Sequence, residues 1–481
     1  MSVALAWPHL QQRWQAEVLP ALEAFVQIPA KSPHFDPDWQ ENGHLEAALE
    51  LGAQFCRDHL PDAAVEIVRE PGRTPLLFVE APASPGNGDG ESALAAAGTA
   101  LIYGHFDKQP ENSGWSSGLA PWQPVIRDGK LYGRGAVDDG YALFSAVLAL
   151  AALRESGQPT PRTLFLIETC EESGSYDLPA YLDRLAERIG AVDLVVCPDA
   201  GCGTYDRLWC TTSLRGMITG TLRVDVLHEG VHSGDAGGVV PSSFRILRSL
   251  LSRLEDEASG EILPELCRVS IPEQCREQAE HAATVLGGAI RERYPFLEGV
   301  RPQVDDPAEL LLARSWRAAL EIVGAEGLPP VAAAGNVLRP FSALKLALRL
   351  PPTAAAEAVA TDLQRLLTSA PPASAPVAFE LEAVADGWAA PATAPWLSAA
   401  LERAGASYFG AAPVLMGEGG TIPLMAWLQA RFPQAQFLVT GVAGPGSNAH
   451  GPDEFLHLDA AQRVTGCLAE ALAALAQQHV R

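Results

Sequence analysis

At 481 residues the chain is too long for one hydrophobic core, and its 48% hydrophobic and 19% charged residues are an ordinary globular balance able to fill two or more domains. With 34 Lys and Arg against 58 Asp and Glu, the formal charge is −24, a surface that repels nucleic acid and anionic membrane. The opening MSVALAWPHLQQRWQAEVL lacks a basic segment followed by a long apolar run, and no apolar stretch reaches the roughly 18 residues of a membrane span. Eight cysteines without a C-x-x-C pair read as reduced side chains, Cys170 and Cys197 among them, so the expected location is the cytoplasm.

In chain order, helical spacing occupies 8–28 and 44–60, and 81–98 reads as a solvent loop or hairpin tip. TALIYGHFD then opens a series of short Val/Ile/Leu/Phe runs, continued by RTLFLIETCEE, VDLVVCPDAG and AQFLVTGVAG. Such runs read as strands buried on both faces, and the apolar helix DDGYALFSAVLALAALRESG between the first two makes an α/β unit with a parallel sheet. Near 213 the pattern changes. MITGTLRVDVLHEGVHSG, SALKLALRLPP and VAFELEAVADG alternate like half-exposed strands, with amphipathic helices in SSFRILRSLLSRLEDEAS and TAAAEAVATDLQRLLTSA. The expected organisation is a catalytic domain from 1–212 and 394–481, with an α+β domain at 213–393 inserted into it.

Five stretches hold side chains suited to a cation, four of them at the ends of strand-like runs, where open α/β sheets bind their ligands. YGHFD supplies His105 and Asp107, a ligand and a group to orient it or take its other N–H. In LYGRGAVDDG, Asp138 and Asp139 read either as helix N-caps or as carboxylates able to bridge two ions. IETCEESGS crowds Glu171 and Glu172 after Glu168, either a hydrophilic strand end or a ligand beside a proton acceptor. CPDAG places Asp199 at a strand tip, and GPGSNAHGPDEF places His450 in a glycine-rich loop. Taken singly each is weak. Together, two His, two Asp and two Glu suit a pair of divalent ions, Zn²⁺ foremost, with Mn²⁺ or Co²⁺ also acceptable to such ligands.

The order H-x-D, GRGxxDD, EESGS, PDAG, HSGxxGG, EGGTIP and NAHGPDE, from about 100 to 455, resembles the dinuclear zinc exopeptidase and amidase family of carnosine dipeptidases, aminoacylases and glutamate carboxypeptidases. LYGRGAVDDG and EESGS lean toward the carnosine and cytosolic nonspecific dipeptidase branch. The resemblance implies that Asp138 bridges two metals across a cis bond to Asp139. His105 and Asp199 would complete one site, Glu172 and His450 the other. Glu171 would be the general base and Asp107 would support His105. It further implies a ferredoxin-like lid that forms a homodimer, and a lid His232 that reaches the partner's site and binds the reacting carbonyl oxygen. Arg349 would take the substrate carboxylate with the backbone of Gly419, Gly420 and Thr421, and Asn336 would assist.

The implied reaction is hydrolysis of a dipeptide, or short peptide with a free carboxylate, by a hydroxide shared between the ions. The same site chemistry suits an N-acyl or N-carbamoyl amino acid amidohydrolase, so the substrate is a small peptide or N-substituted amino acid. A catalytically silent metal-binding dimerisation protein is the reading of another class, opposed by the presence of Glu171 and all five ligands.

Overall fold

The computed structural model describes residues 6–86 and 98–478, so most of the loop expected at 81–98 lies outside the described residues. The chain divides into two units. One comprises Met1–Thr211, Ala390–Leu415 and Trp427–Arg481; the other comprises Thr212–Ala389 and Met416–Ala426.

The first unit is built on a sheet whose strands run in the order Ala64–Val68, Leu76–Ala81, Arg162–Glu168, Thr99–His105, Leu194–Cys197, Gln436–Thr440 and Trp209–Leu214. The apolar runs fall on its centre. Arg162–Glu168, Thr99–His105, Leu194–Cys197 and Gln436–Thr440 are mutually parallel, with Ile102 level with Phe165 and Val196, and Val196 level with Leu438. Antiparallel strands flank this parallel centre, Leu76–Ala81 on one side and Trp209–Leu214 on the other. Continuous β-branched and aromatic side chains suit central strands because both faces are covered. The parallel run has a functional consequence: four strands end on the same edge of the sheet, and the chain leaving each end carries one of the expected ligand stretches.

Helices cover this sheet. Those expected at 8–28 and 44–60 are Trp7–Arg13 and Leu19–Gln27, joined by the wider turn Trp14–Val18, and His44–His59. Tyr141–Glu155 is apolar on every side because it is buried for nearly its whole length. Phe144 on this helix lies against Phe25, Phe55 and Phe106, with ring centroids 6.3, 5.0 and 5.6 Å away. The long helix Leu458–Gln478 contributes to the same core.

The second unit is α+β. Its four antiparallel strands run in the order Ala319–Glu326, Phe341–Leu350, Gly216–Asp225 and Val377–Ala385. Gly216–Asp225 alternates buried and half-buried positions along its length, as the sequence period of two requires. Helices Ser243–Leu251 and Ala356–Thr368 bury Ile246, Leu247, Leu250, Val359 and Leu363 in one core with Leu222, Leu346 and Leu348 from the strands. The strand Ala319–Glu326 and the helices Glu273–Leu286 and Pro307–Ser315 are elements for which the sequence gives no clear period. The strand is an edge strand with Ile322 and Val323 exposed, and the longer helix buries only Ala279 and Ala282, so neither carries a strong apolar stripe.

Removing the Phe144 ring leaves a cavity among three other aromatic rings. Phe144→Ala is expected to cost about 3–5 kcal/mol, read as a lowered urea midpoint at fixed metal concentration.

Candidate metal centre and active site

His105 ends its strand fully buried. Its Nδ1 lies 3.0 Å from the Asp107 carbonyl oxygen and 3.6 Å from the Asp107 carboxylate. A carbonyl can only accept, so Nδ1 carries the proton and the Nε2 lone pair is left for a cation. The Asp107 carboxylate, beside Nδ1, has a second task as well. Its two oxygens accept the backbone N–H groups of Glu171 at 3.1 Å and Glu172 at 3.0 Å. Asp107 therefore lies against His105 through both its carbonyl and its carboxylate, and fixes the turn Glu171–Ser173 with its side chain. The next residue, Lys108, anchors this stretch from below: its buried ammonium donates to the carbonyls of Phe25 and Ile28 at 2.7 and 2.8 Å.

Asp138 sits between two imidazoles. Its Oδ1 lies 3.1 Å from His105 Nε2 and its Oδ2 lies 3.0 Å from His450 Nε2. The peptide bond to Asp139 is cis, and neither aspartate caps the following helix through its side chain. Asp199 approaches His105 Nε2 at 3.6 Å, and Glu172 approaches His450 Nε2 at 3.5 Å. Two triads result, His105–Asp138–Asp199 and Asp138–Glu172–His450, each with its potential ligand atoms within 4.8 Å of one another. All five expected ligands thus converge, and they share Asp138.

Charge at this site is out of balance. Asp107, Asp138, Asp139, Glu171, Glu172 and Asp199 crowd around two imidazoles. Burial, reinforced by neighbouring carboxylates, pushes Glu172 and Asp199 well above the usual carboxylate range and Glu171 up to about 7. Burial would raise Asp138 as well, but hydrogen bonds with His105 and His450 outweigh it and hold that carboxyl low. Glu172 Oε1 is buried with no hydrogen-bond partner among the described residues, while Oε2 takes the side-chain amide of Gln109. Like charges forced this close, with imidazole lone pairs and an unpartnered carboxylate oxygen among them, fit divalent cations.

The third glutamate of IETCEESGS, Glu168, is set apart. It accepts from Tyr103 Oη at 2.7 Å and Ser175 Oγ at 2.9 Å, and burial pushes it up to about 8.

Sequence reasoning gave no role to the pair that holds the two outer loops. Arg134 and Glu454 are both fully buried, 2.7 Å apart. Arg134 also donates to the carbonyls of Pro110, Ala449 and Gly451, and Glu454 accepts the backbone N–H groups of Gly135 and Val137. One ion pair therefore ties the segment ahead of Asp138 to the segment around His450. The signal was present in GRG and PDE, each an ionisable residue within four positions of a ligand, but only their mutual burial shows that they belong together.

The remaining expected residues lie in the second unit, in two groups. His232 ends the short strand Val231–His232 with an exposed ring whose Nδ1 accepts from Gly234 N at 3.2 Å. Asn336 is beside it, its carbonyl taking the Ser233 amide at 2.9 Å, and Val337 stands opposite His232 in the pairing. In the other group, Arg349 Nη1 donates to Thr421 Oγ1 at 2.8 Å, and the carbonyls of Gly419 and Gly420 accept from Arg215 Nε and N at 3.2 and 3.0 Å.

A parallel sheet whose strand ends carry two imidazole–carboxylate triads with a shared aspartate defines a dinuclear metallohydrolase. Residues 101–474 match Peptidase family M20/M25/M40, and the chain belongs to that family. It is 27% identical over 431 residues to the cysteinylglycine-S-conjugate dipeptidase of Corynebacterium striatum, 88% of each chain. It is 28% identical over 345 residues to the β-Ala-His dipeptidase of Homo sapiens, 69% of this chain and 66% of that one. Its fold matches the solved structure of human carnosine dipeptidase 1 with a TM-score of 0.74 at 23% identity, over 99% of this chain and 100% of the other. The chain is a hydrolase of the metallopeptidase class.

Cutting the tie between the two loops should loosen both triads. Glu454→Ala leaves the Arg134 charge buried and unpaired, a change that costs about 3–5 kcal/mol in stability. Displacing what supports metal ligands weakens binding about 10- to 100-fold. Chemical denaturation and metal titration of the same variant check the two effects.

Proposed function

We propose that the chain is a dipeptidase that cleaves the amide bond of a dipeptide bearing a free C-terminal carboxylate, with two divalent ions, Zn²⁺ foremost, held by His105, Asp138, Glu172, Asp199 and His450. The observation that carries this reading is the double triad sharing Asp138, with the glutamate at 171 left over. When bound, the ions acidify water toward a pKa of about 7 and polarise the scissile carbonyl.

Glu171 is the general base. Its backbone N–H donates to the Asp107 carboxylate at 3.1 Å, which fixes the residue beside the five ligands without making it one of them. It takes the proton of the attacking water and delivers it to the leaving amine. In the second unit, the lid in this reading, His232 binds the reacting carbonyl oxygen in the partner subunit's site, with Asn336 beside it. Stabilising such an oxyanion is worth about 3–4 kcal/mol where one donor has been removed. Arg349, with the backbone of Gly419, Gly420 and Thr421, holds the carboxylate, for which a planar guanidinium offers paired donors.

The family and the names of both relatives support dipeptide substrates. The trans role of His232 makes a homodimer through the second unit part of the reading. Eight free cysteines support a reducing compartment, and the cytoplasm is the proposed location.

Glu171→Gln is expected to retain two ions per chain by elemental analysis while losing most turnover on dipeptides; turnover at the wild-type rate would remove Glu171 from the role of base. Chelation should abolish activity, and Zn²⁺, Mn²⁺ or Co²⁺ added singly should restore it to different degrees. A panel of dipeptides against N-acetyl and N-carbamoyl amino acids decides between peptidase and amidase: the account expects faster turnover of the dipeptides.

A further inference from the structure

Arg215, in the second unit, is the single residue between the strands Trp209–Leu214 and Gly216–Asp225. It is bound into the 418–421 loop from both ends of the residue. Its backbone N–H donates to Gly420, its Nε donates to Gly419, and its own carbonyl accepts the Thr421 hydroxyl at 2.6 Å. That hydroxyl oxygen also accepts from Arg349 Nη1, so one threonine side chain links two arginines. Gly419 permits the close approach: a Cβ there would lie 3.0 Å from the Arg314 carbonyl and 3.2 Å from Arg215 Nη2.

The acid of the loop, Glu418, is already engaged, 3.1 Å from Arg314. Among the described residues no carboxylate stands within ion-pair distance of Arg215 or Arg349, and neither terminal nitrogen of Arg215 has an acceptor. Burial, with repulsion from Arg349 and Arg314, brings the Arg215 guanidinium down to about 10, and burial lowers Arg349 as well. Two partly buried positive charges held against one loop, without an internal counter-ion, form a seat for an incoming anion.

We propose that Arg215 is the second guanidinium of the carboxylate seat and shares the substrate's C-terminal carboxylate with Arg349. This rests on the reading of Arg349 given above and adds a specificity residue to it. The side chain keeps its Nε on the loop and offers its terminal nitrogens to the ligand. Two guanidiniums facing one carboxylate make the enzyme selective for free acids over terminal amides, since an amide brings no charge to either arginine and its NH₂ faces two donors.

The test compares a dipeptide with its C-terminal amide, in wild type, R215Q, R215K and R349Q, each loaded with Zn²⁺ and checked for metal content. Wild type should prefer the acid. R215Q should lower the acid-to-amide ratio of kcat/KM by about ten-fold or more, the size expected for losing a charged hydrogen bond, chiefly through KM for the acid. R215K, which keeps the charge with fewer donors, should fall between. If R215Q slows acid and amide equally, or keeps the wild-type ratio while R349Q collapses it, the seat stands but Arg215 is not part of it. A wild-type enzyme indifferent to amidation, with R349Q no different, would overturn both the seat and the role of Arg215.

Discussion

The rest of the structure depends on mutual repulsion among carboxylates held together at the end of a sheet. Asp138 is stabilised by an imidazole on each of its oxygens, whereas Glu172, Asp199 and Glu171 are lifted by burial and by one another. Such a cluster is unfavourable alone and becomes favourable around cations. The scaffold keeps the carboxylates from moving apart. Four parallel strands deliver their ends to one edge, and the hydrogen bonds of the sheet fix where each ligand-bearing segment begins.

Within the first unit, charge is handled in two contrasting ways at similar depth. Arg134 and Glu454 form a closed pair, with the remaining donors and acceptors taken by backbone groups. The triads are left open, with an unpartnered oxygen on Glu172 and imidazole nitrogens aimed at carboxylates. The closed pair holds the loops and the open set is left with an unpartnered oxygen and converging ligand atoms suited to cations. Asp107 serves both ends, since its carbonyl sets the His105 tautomer while its carboxylate places the amides of Glu171 and Glu172. A single aspartate thereby couples the orientation of a ligand to that of the proposed base.

Much of this was legible in the sequence because short apolar runs mark central strands, and the residues following them must lie at strand ends. His105, Asp199 and the glutamate pair could be read that way, and the alternation of Gly216–Asp225 marked an antiparallel sheet of another kind. What could not be read depends on contacts between distant segments. Arg134 and Glu454 are 320 positions apart, and nothing local distinguishes either from a surface charge. The double use of Asp107 is a matter of backbone direction, which residue type does not encode. Arg215 looks like any arginine between two strands until the loop at 418–421 is placed against it. The edge strand Ala319–Glu326 failed to announce itself because an edge with exposed Ile322 and Val323 lacks the contrast between faces on which periodicity relies.

The most direct measurement is anomalous diffraction from crystals of the Zn²⁺-loaded protein, collected on both sides of the zinc edge. The account predicts two peaks per chain, about 3.5–4 Å apart. One should be coordinated by His105 and Asp199, the other by Glu172 and His450, with an oxygen of Asp138 on each. A single peak, or two that leave Asp138 bound to only one ion, would contradict it.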